Sequence, residues 1–240
     1  MNANPTQEKS MQSSSSSENQ KRILLWDLPL RLFHWALLLC VAGALLSINL
    51  ADDWADGLDW HLRFGLAALS LLLFRLIWGF VGGSHARFGS FLPGPGRLFA
   101  FLRDARQRAL PSVGHNPLGA LSVIAMLASL SFQAISGLFI SDGFMLEGPL
   151  YKHVSESTAD WLIRAHLFNA WIIPVLIALH IAAIVFYRLF KKDDLLSPMI
   201  TGRKTLPRQF ETQLSRGGHW VLGLLVFLLC AVAVWLISRA

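Results

Sequence analysis

Arg164-Ala-His-Leu-Phe-Asn-Ala-Trp-Ile-Ile-Pro-Val-Leu-Ile-Ala-Leu-His180 is an apolar run with a histidine near each end. Fourteen residues separate His166 from His180. At about 100° per residue that spacing returns to nearly the same helix face, and a rise of about 1.5 Å per residue sets the imidazoles about 21 Å apart. The run crosses most of a bilayer, so each histidine lies near one membrane surface. Ionisable side chains inside a span mark functional positions. A stripe of this kind suits two metal centres stacked across a membrane, provided other spans supply a partner at each depth.

The composition agrees with a membrane setting. The chain has 240 residues, 54% hydrophobic and only 15% charged, with a positive mean hydropathy. Such values belong to multi-span membrane proteins rather than soluble domains. Cys40 and Cys230 both sit in apolar runs and form neither CxxC nor CxxCH. A zinc knuckle and covalent c-type haem attachment therefore have no support. The net charge of +6 invites a nucleic-acid reading. The basic residues, however, flank apolar spans instead of forming a soluble patch, so no nucleic-acid partner is expected.

Residues 1–21 are polar and Ser-rich and are expected to form a disordered cytoplasmic tail. They contain no apolar core of a cleaved signal peptide. Five spans follow, at about 30–50, 61–81, 116–140, 161–190 and 219–237. Asp27 is placed to cap the first helix, with Pro29 in its first turn, and Pro117 opens the third. Pro174 lies between the two histidines of the fourth and predicts a kink. Residues 95–108 mix Leu98, Phe99, Phe101 and Leu102 with arginines, the pattern of an amphipathic helix on the membrane surface. Residues 191–218 read as a polar, mainly basic loop.

Charge sets the orientation. Basic residues precede span 1 and follow spans 2 and 4, while the connections ADDWADGLDW (51–60) and SDGFMLEGPLYKHVSESTADW (141–161) are acidic. By the positive-inside rule the N-terminus and basic segments are cytoplasmic, and an odd number of spans leaves the C-terminus outside. His34 then lies near the inner surface and His61 near the outer one. Span 4 runs from outside to inside, which puts His166 outer and His180 inner. The expected pairs are His34 with His180 and His61 with His166. Two facing imidazoles give an axial N–Fe–N arrangement without an open position, which suits a low-spin b-type haem that passes single electrons. Zinc wants more ligands than two histidines provide.

Arg75 lies fourteen residues after His61, on the same face at inner depth. It reads either as a partner for haem propionates or as an arginine snorkelling at a helix end. Arg63 is the corresponding outer candidate, and Arg164 and Arg31 are weaker ones. His115, at the inner start of span 3, is read either as a helix-start residue or as a group that accepts a proton from quinol. Gln133, Ser122, Ser129, Ser131 and Ser136 read as polar groups that pack helices together.

The runs WDLPLRLFHW (26–35), FRLIWGFVGGSHARF (74–88) and GHNPLGALSV (114–123), with the His166–His180 spacing, resemble the bacterial cytochrome b561 / nickel-iron hydrogenase b-type cytochrome family. The likeness covers about residues 22–206. It implies a four-helix membrane bundle with two b haems, ligated by histidines on helices one, two and four. Those positions match His34, His61, His166 and His180. Span 5 and the Ser-rich tail depart from that core. The expected fold is therefore all-α and integral to the membrane: a four-helix dihaem bundle over 22–206, with a linker and an additional C-terminal transmembrane helix over 207–240. The implied function is electron transfer between the quinone pool, with quinone as substrate, and an outer-face partner such as a periplasmic c-type cytochrome. The implied setting is the bacterial inner membrane. The acidic outer connections are complementary to a basic partner. Two alternatives stand beside this one: a haem-bearing anchor subunit of a hydrogenase or dehydrogenase complex, and a superoxide:quinone oxidoreductase.

Overall fold

The computed structural model describes residues 20–51, 56–103, 114, 116–141, 143, 147–207 and 217–239. Five of its helices are long and apolar enough to cross a membrane. Helix α1 is Leu28–Asn49 and α2 is Gly57–Val81. Two short helices follow, α3 (Phe88–Phe91) and α4 (Pro95–Arg103). Helix α5 is Pro117–Ser136, continued by a 3-10 turn over Gly137–Phe139. Helix α6 is Glu156–Phe190, α7 is Leu196–Thr201 and α8 is Trp220–Ile237.

The helix starts follow local chemistry. The Asp27 carboxylate accepts from Leu30 N at 2.9 Å, with Pro29 in the first turn. Asn116 Oδ1 accepts from Gly119 N at 2.7 Å ahead of Pro117. Ser155 caps α6 through Thr158 N. Each side chain satisfies one of the backbone donors that a helix start leaves free. Two spans begin earlier than hydropathy suggests: α2 starts at Gly57 and α6 at Glu156. Their first turns carry acidic residues, Asp59 and Glu156, so a hydropathy reading misses them; Ser155 marks the start of α6 as its cap, whereas Asp56 ahead of α2 makes no side-chain capping bond. Helix α6 continues through Pro174 as one element. The surface helix expected over 95–108 is present as Pro95–Arg103, and the remainder of that stretch lies outside the described residues.

The five long helices fall into two groups. Helices α1, α2 and α8 pack together, and α5 packs along α6. Contact between α2 and α5 joins the groups, whereas α6 has no extended packing against α1 or α2. A seam therefore runs between α6 and the α1–α2 pair. The fifth span, α8, packs into the α1–α2 group. Cys230 and Val234 of α8 are buried against the other group members, and a Cβ on Gly223 would sit 2.7 Å from the Pro29 ring.

Asp27 organises one end of the α1–α2–α8 group. Its carboxylate is 5% exposed. Besides Leu30 N, it accepts from Trp78 Nε1 at 3.2 and 3.3 Å, Gly83 N at 3.0 Å and Gly218 N at 3.2 Å. Those donors come from the end of α2, the turn after it and the segment before α8. Gly218 has no room for a side chain: a Cβ would lie 2.8 Å from Asp27 Oδ2 and 2.3 Å from the Trp78 ring.

Two departures from the sequence reading lie at the same end. Residues 20–21 belong to a strand, β1 (Gln20–Leu24), rather than to the tail expected over 1–21. The loop expected over 191–218 contains α7 and a second strand, β2 (Arg203–Pro207). The strands pair antiparallel from Gln20↔Pro207 to Leu24↔Arg203. Ile23 and Leu206 are buried while Arg22 and Thr205 face out, the two-residue alternation of a half-buried ribbon. The adjacent basic pairs Lys21–Arg22 and Arg203–Lys204 hide this pattern in the composition. Gly202, at φ +80°, turns α7 into β2, and its carbonyl accepts from Leu25 N and Trp26 N. Trp35 Nε1 donates to Met199 O at 3.2 Å and Arg31 Nη1 to Ile200 O. Asp194 accepts from Leu196 N, Ser197 N and the Ser197 hydroxyl, and the hydroxyl bond leads in holding its carboxyl below the usual range. The clip fastens the chain after α6 to the start of α1, across the seam.

Candidate functional site

The seam is lined by histidines from both groups. His34 on α1 and His61 on α2 come from one side, and His166 and His180 on α6 from the other. The rings of His34 and His180 face each other with centroids 6.5 Å apart and planes inclined at 50°. Those of His61 and His166 are 6.4 Å apart, inclined at 74°. The structure therefore brings together the same two pairs that helix direction and spacing pick out. Antiparallel neighbours reverse depth with each crossing, so an early residue of α1 meets a late residue of α6.

The separation is informative. A metal–imidazole bond is about 2.0–2.1 Å, so two such bonds in line, plus the half-widths of the rings, put trans imidazole centroids about 6–6.5 Å apart. Both pairs have that spacing. Among the described residues no group of three or more His, Cys, Asp or Glu gathers as a metal cage. A pair of imidazoles facing across a seam fits the two axial positions of a haem iron.

Hydrogen bonds define the outer rings. His61 Nδ1 is 2.9 Å from Ala44 O. A carbonyl only accepts, so Nδ1 carries the proton and Nε2 keeps its lone pair for a metal. His166 Nδ1 is 3.0 Å from Ser136 Oγ, which is 3.1 Å from Gln133 O. The inner rings differ. His34 Nδ1 is buried without a hydrogen-bond partner, and His180 makes no side-chain hydrogen bond among the described residues. Small residues line the outer pair. A Cβ on Gly65, one turn beyond His61, would meet nothing within 4 Å, and one on Gly137 would touch His166 Cε1 at 3.4 Å. A flat ligand can approach the helices at such positions.

The arginines separate by environment. Arg75 is 3% exposed, lies over the Phe88 ring at 4.8 Å, and has a buried Nη1 without a hydrogen-bond partner. A snorkelling arginine would carry its head to water, so this burial is at odds with that reading. A buried, partly unsatisfied guanidinium is suited to a carboxylate. Arg63 is exposed and stacks on Trp60 at 5.1 Å, and Arg164 is exposed on α6. Arg31 is engaged in the clip through Ile200 O. His115 lies outside the described residues.

Asn169, one turn from His166, escaped the sequence reading. It is buried, accepts from Ser129 Oγ at 2.9 Å, and donates through Nδ2 to Ser129 O at 3.0 Å and Gln133 Oε1 at 2.7 Å. The signal was an amide inside an apolar run, opposite a span rich in serine. Interhelical bonds of this sort contribute about 0.6–2 kcal/mol in membranes. Asn169→Ala is expected to lower stability by about 1–2 kcal/mol in a detergent unfolding titration. A value near zero would show that α5 and α6 are held by apolar packing alone.

A family described as prokaryotic cytochrome b561 matches residues 25–202. A protein named "Probable Ni/Fe-hydrogenase B-type cytochrome subunit" from Rhizobium leguminosarum bv. viciae is 25% identical over 214 residues, covering 77% of this chain and 90% of its own length. Proteins of the same name from Azotobacter vinelandii and Rhodobacter capsulatus are 25% and 22% identical. They cover 81% and 79% of this chain, and 95% and 84% of their own lengths. No solved structure gives a significant match.

Proposed function

The chain belongs to the prokaryotic cytochrome b561 family, and from that premise we propose that it holds two b haems on the seam and passes electrons across the membrane between quinone and a redox partner. It is a multi-pass membrane protein that transfers electrons through haem b. The observation that carries the finer reading is the pair of facing imidazole couples, 6.5 and 6.4 Å between centroids, on opposite sides of one seam.

His34 and His180 hold the inner iron, and His61 and His166 the outer one. When bound, the haems supply reversible one-electron iron chemistry. The protein positions the ligands and excludes water. The Ala44 carbonyl and Ser136 hydroxyl keep the outer imidazoles in the tautomer that presents Nε2. The buried Arg75 would balance the charge of the inner haem's propionates, and the exposed Arg63 and Arg164 would do so for the outer haem. His115, two residues before Pro117 in the sequence, is the candidate group to accept a proton from quinol. The N-terminus lies on the cytoplasmic side of a bacterial inner membrane and the C-terminus on the periplasmic side, in line with the basic and acidic connections.

The partner is a redox protein at the outer face, such as a c-type cytochrome docked on the acidic connections. The names of the relatives favour a second reading, in which the chain is the haem-bearing membrane subunit of a hydrogenase. Both readings predict two b haems per chain by pyridine haemochrome of the detergent-purified protein, reducible by a short-chain quinol in liposomes. A count of one or none would refute the dihaem assignment. Full haem loading without quinol reduction would refute the quinone link. Electron transfer to a basic c-type cytochrome that is insensitive to salt would count against docking on the acidic connections.

A further inference from the structure

Ser136 ends α5 with 1% of its surface exposed, and its hydroxyl has two neighbours. Gln133 O, one turn back on the same helix, lies at 3.1 Å, and His166 Nδ1 on α6 lies at 3.0 Å. A hydroxyl has one proton and a carbonyl has none to give. The Ser136 proton therefore goes to Gln133 O, and the proton in the second bond comes from His166 Nδ1. Gln133 braces the same contact twice: its backbone oxygen holds Ser136, and its side-chain oxygen accepts from Asn169 at 2.7 Å, one turn beyond His166 on α6. Gly137, next to Ser136, lets the imidazole lie flush against the turn, with His166 Cε1 at 3.4 Å from where a Cβ would be. The inner pair has no counterpart, since His34 Nδ1 lacks a partner.

We propose that Ser136 is the positioning residue of the outer iron centre, accepting the Nδ1 proton of His166 and thereby setting both the orientation of the ring and the electron donation of Nε2. This rests on the reading of His61 and His166 as an axial pair. An acceptor on the distal N–H makes a ligating imidazole more basic. A more basic ligand favours the ferric over the ferrous ion, so this hydrogen bond holds the outer midpoint potential down. The inner centre is outside its reach.

The test uses the full-length protein with its haem. Pyridine haemochrome gives the haem count, and an optically followed redox titration gives the two midpoints, for wild type, Ser136→Ala, Ser136→Thr and Ser129→Ala. Ser136→Ala is expected to shift the ferric/ferrous equilibrium of one centre about tenfold towards the ferrous form, about 59 mV for a one-electron couple. The other midpoint stays in place. Ser136→Thr keeps the hydroxyl and restores the wild-type value. Ser129→Ala, which removes a different α5–α6 hydrogen bond, leaves both midpoints unmoved. Loss of one haem from Ser136→Ala but not from Ser136→Thr supports the same role. Unchanged midpoints in Ser136→Ala at full haem content overturn it, as the ring would then be held by another acceptor such as the Gln133 carbonyl. Equal haem loss in the Ala and Thr variants also overturns it, because volume rather than the hydroxyl would matter. A wild-type count below two fails the dihaem reading, and takes this proposal with it before any potential is measured.

Discussion

Replacing His180 with alanine is expected to lower haem content from two per chain to about one, and adding His34→Ala to that variant is expected to remove no more. The reason is geometric. The two rings face each other at 6.5 Å between centroids, so on the proposed assignment they would serve one iron together. Loss of either leaves the other as the sole protein ligand at that depth. His61→Ala and His166→Ala should form a second class, depleting the other haem, because their rings face at 6.4 Å. A variant combining His61→Ala with His180→Ala should retain almost none. Haemochrome counts separate one haem from two, and redox titration identifies which midpoint is missing. Additive loss in the His34/His180 double variant would refute the pairing. So would depletion of the same haem by His180→Ala and His61→Ala.

Asp27→Ala is expected to cost about 3–5 kcal/mol of stability, several times the effect of an ordinary helix cap. Loss of an N-cap alone costs about 1 kcal/mol. Here the carboxylate also satisfies Trp78 Nε1, Gly83 N and Gly218 N in a site that is 5% exposed to solvent. Removing it strands those donors, each at about 1–3 kcal/mol when buried. Asp27→Asn is only a partial repair. Its oxygen can still cap α1 at Leu30 N, but its NH2 group then confronts the N–H groups of Gly83 and Gly218. Gly218→Ala should be damaging from the other side, since its Cβ would crowd both Asp27 Oδ2 and the Trp78 ring. Thermal or denaturant unfolding of the detergent-purified variants reads these effects. An Asp27→Ala variant within about 1 kcal/mol of wild type would mean that only the cap matters.

The two predictions differ in how far they were legible in the linear chain. The meeting of His34 with His180 and of His61 with His166 needed only five apolar runs, the alternation of basic and acidic connections and the helical rise. Each is a local or periodic property. Asp27 was legible as a cap because a cap acts within three residues. Its larger role was not, since two of its donors are backbone N–H groups of glycines, fifty-six and 191 residues away. A backbone donor has no side-chain signature.

The same division holds for the chain as a whole. The amino-acid sequence alone determined that this is a helical membrane protein with histidines at two depths, because hydrophobic length and helical period are set by neighbours along the chain. Tertiary structure decided the rest. It sorted the helices into two groups, so that the histidines line a seam, and it packed α8 on α1 and α2. It paired β1 with β2 into a clip, which the basic composition of both segments had concealed. It buried Arg75, one of several arginines near span ends, and gave Ser136, one of several serines in its span, the bond to His166. In each case many residues of the same type satisfy the local pattern. Which one faces a partner depends on how helices distant in sequence rotate and pack, a choice made by the summed contacts of the folded bundle.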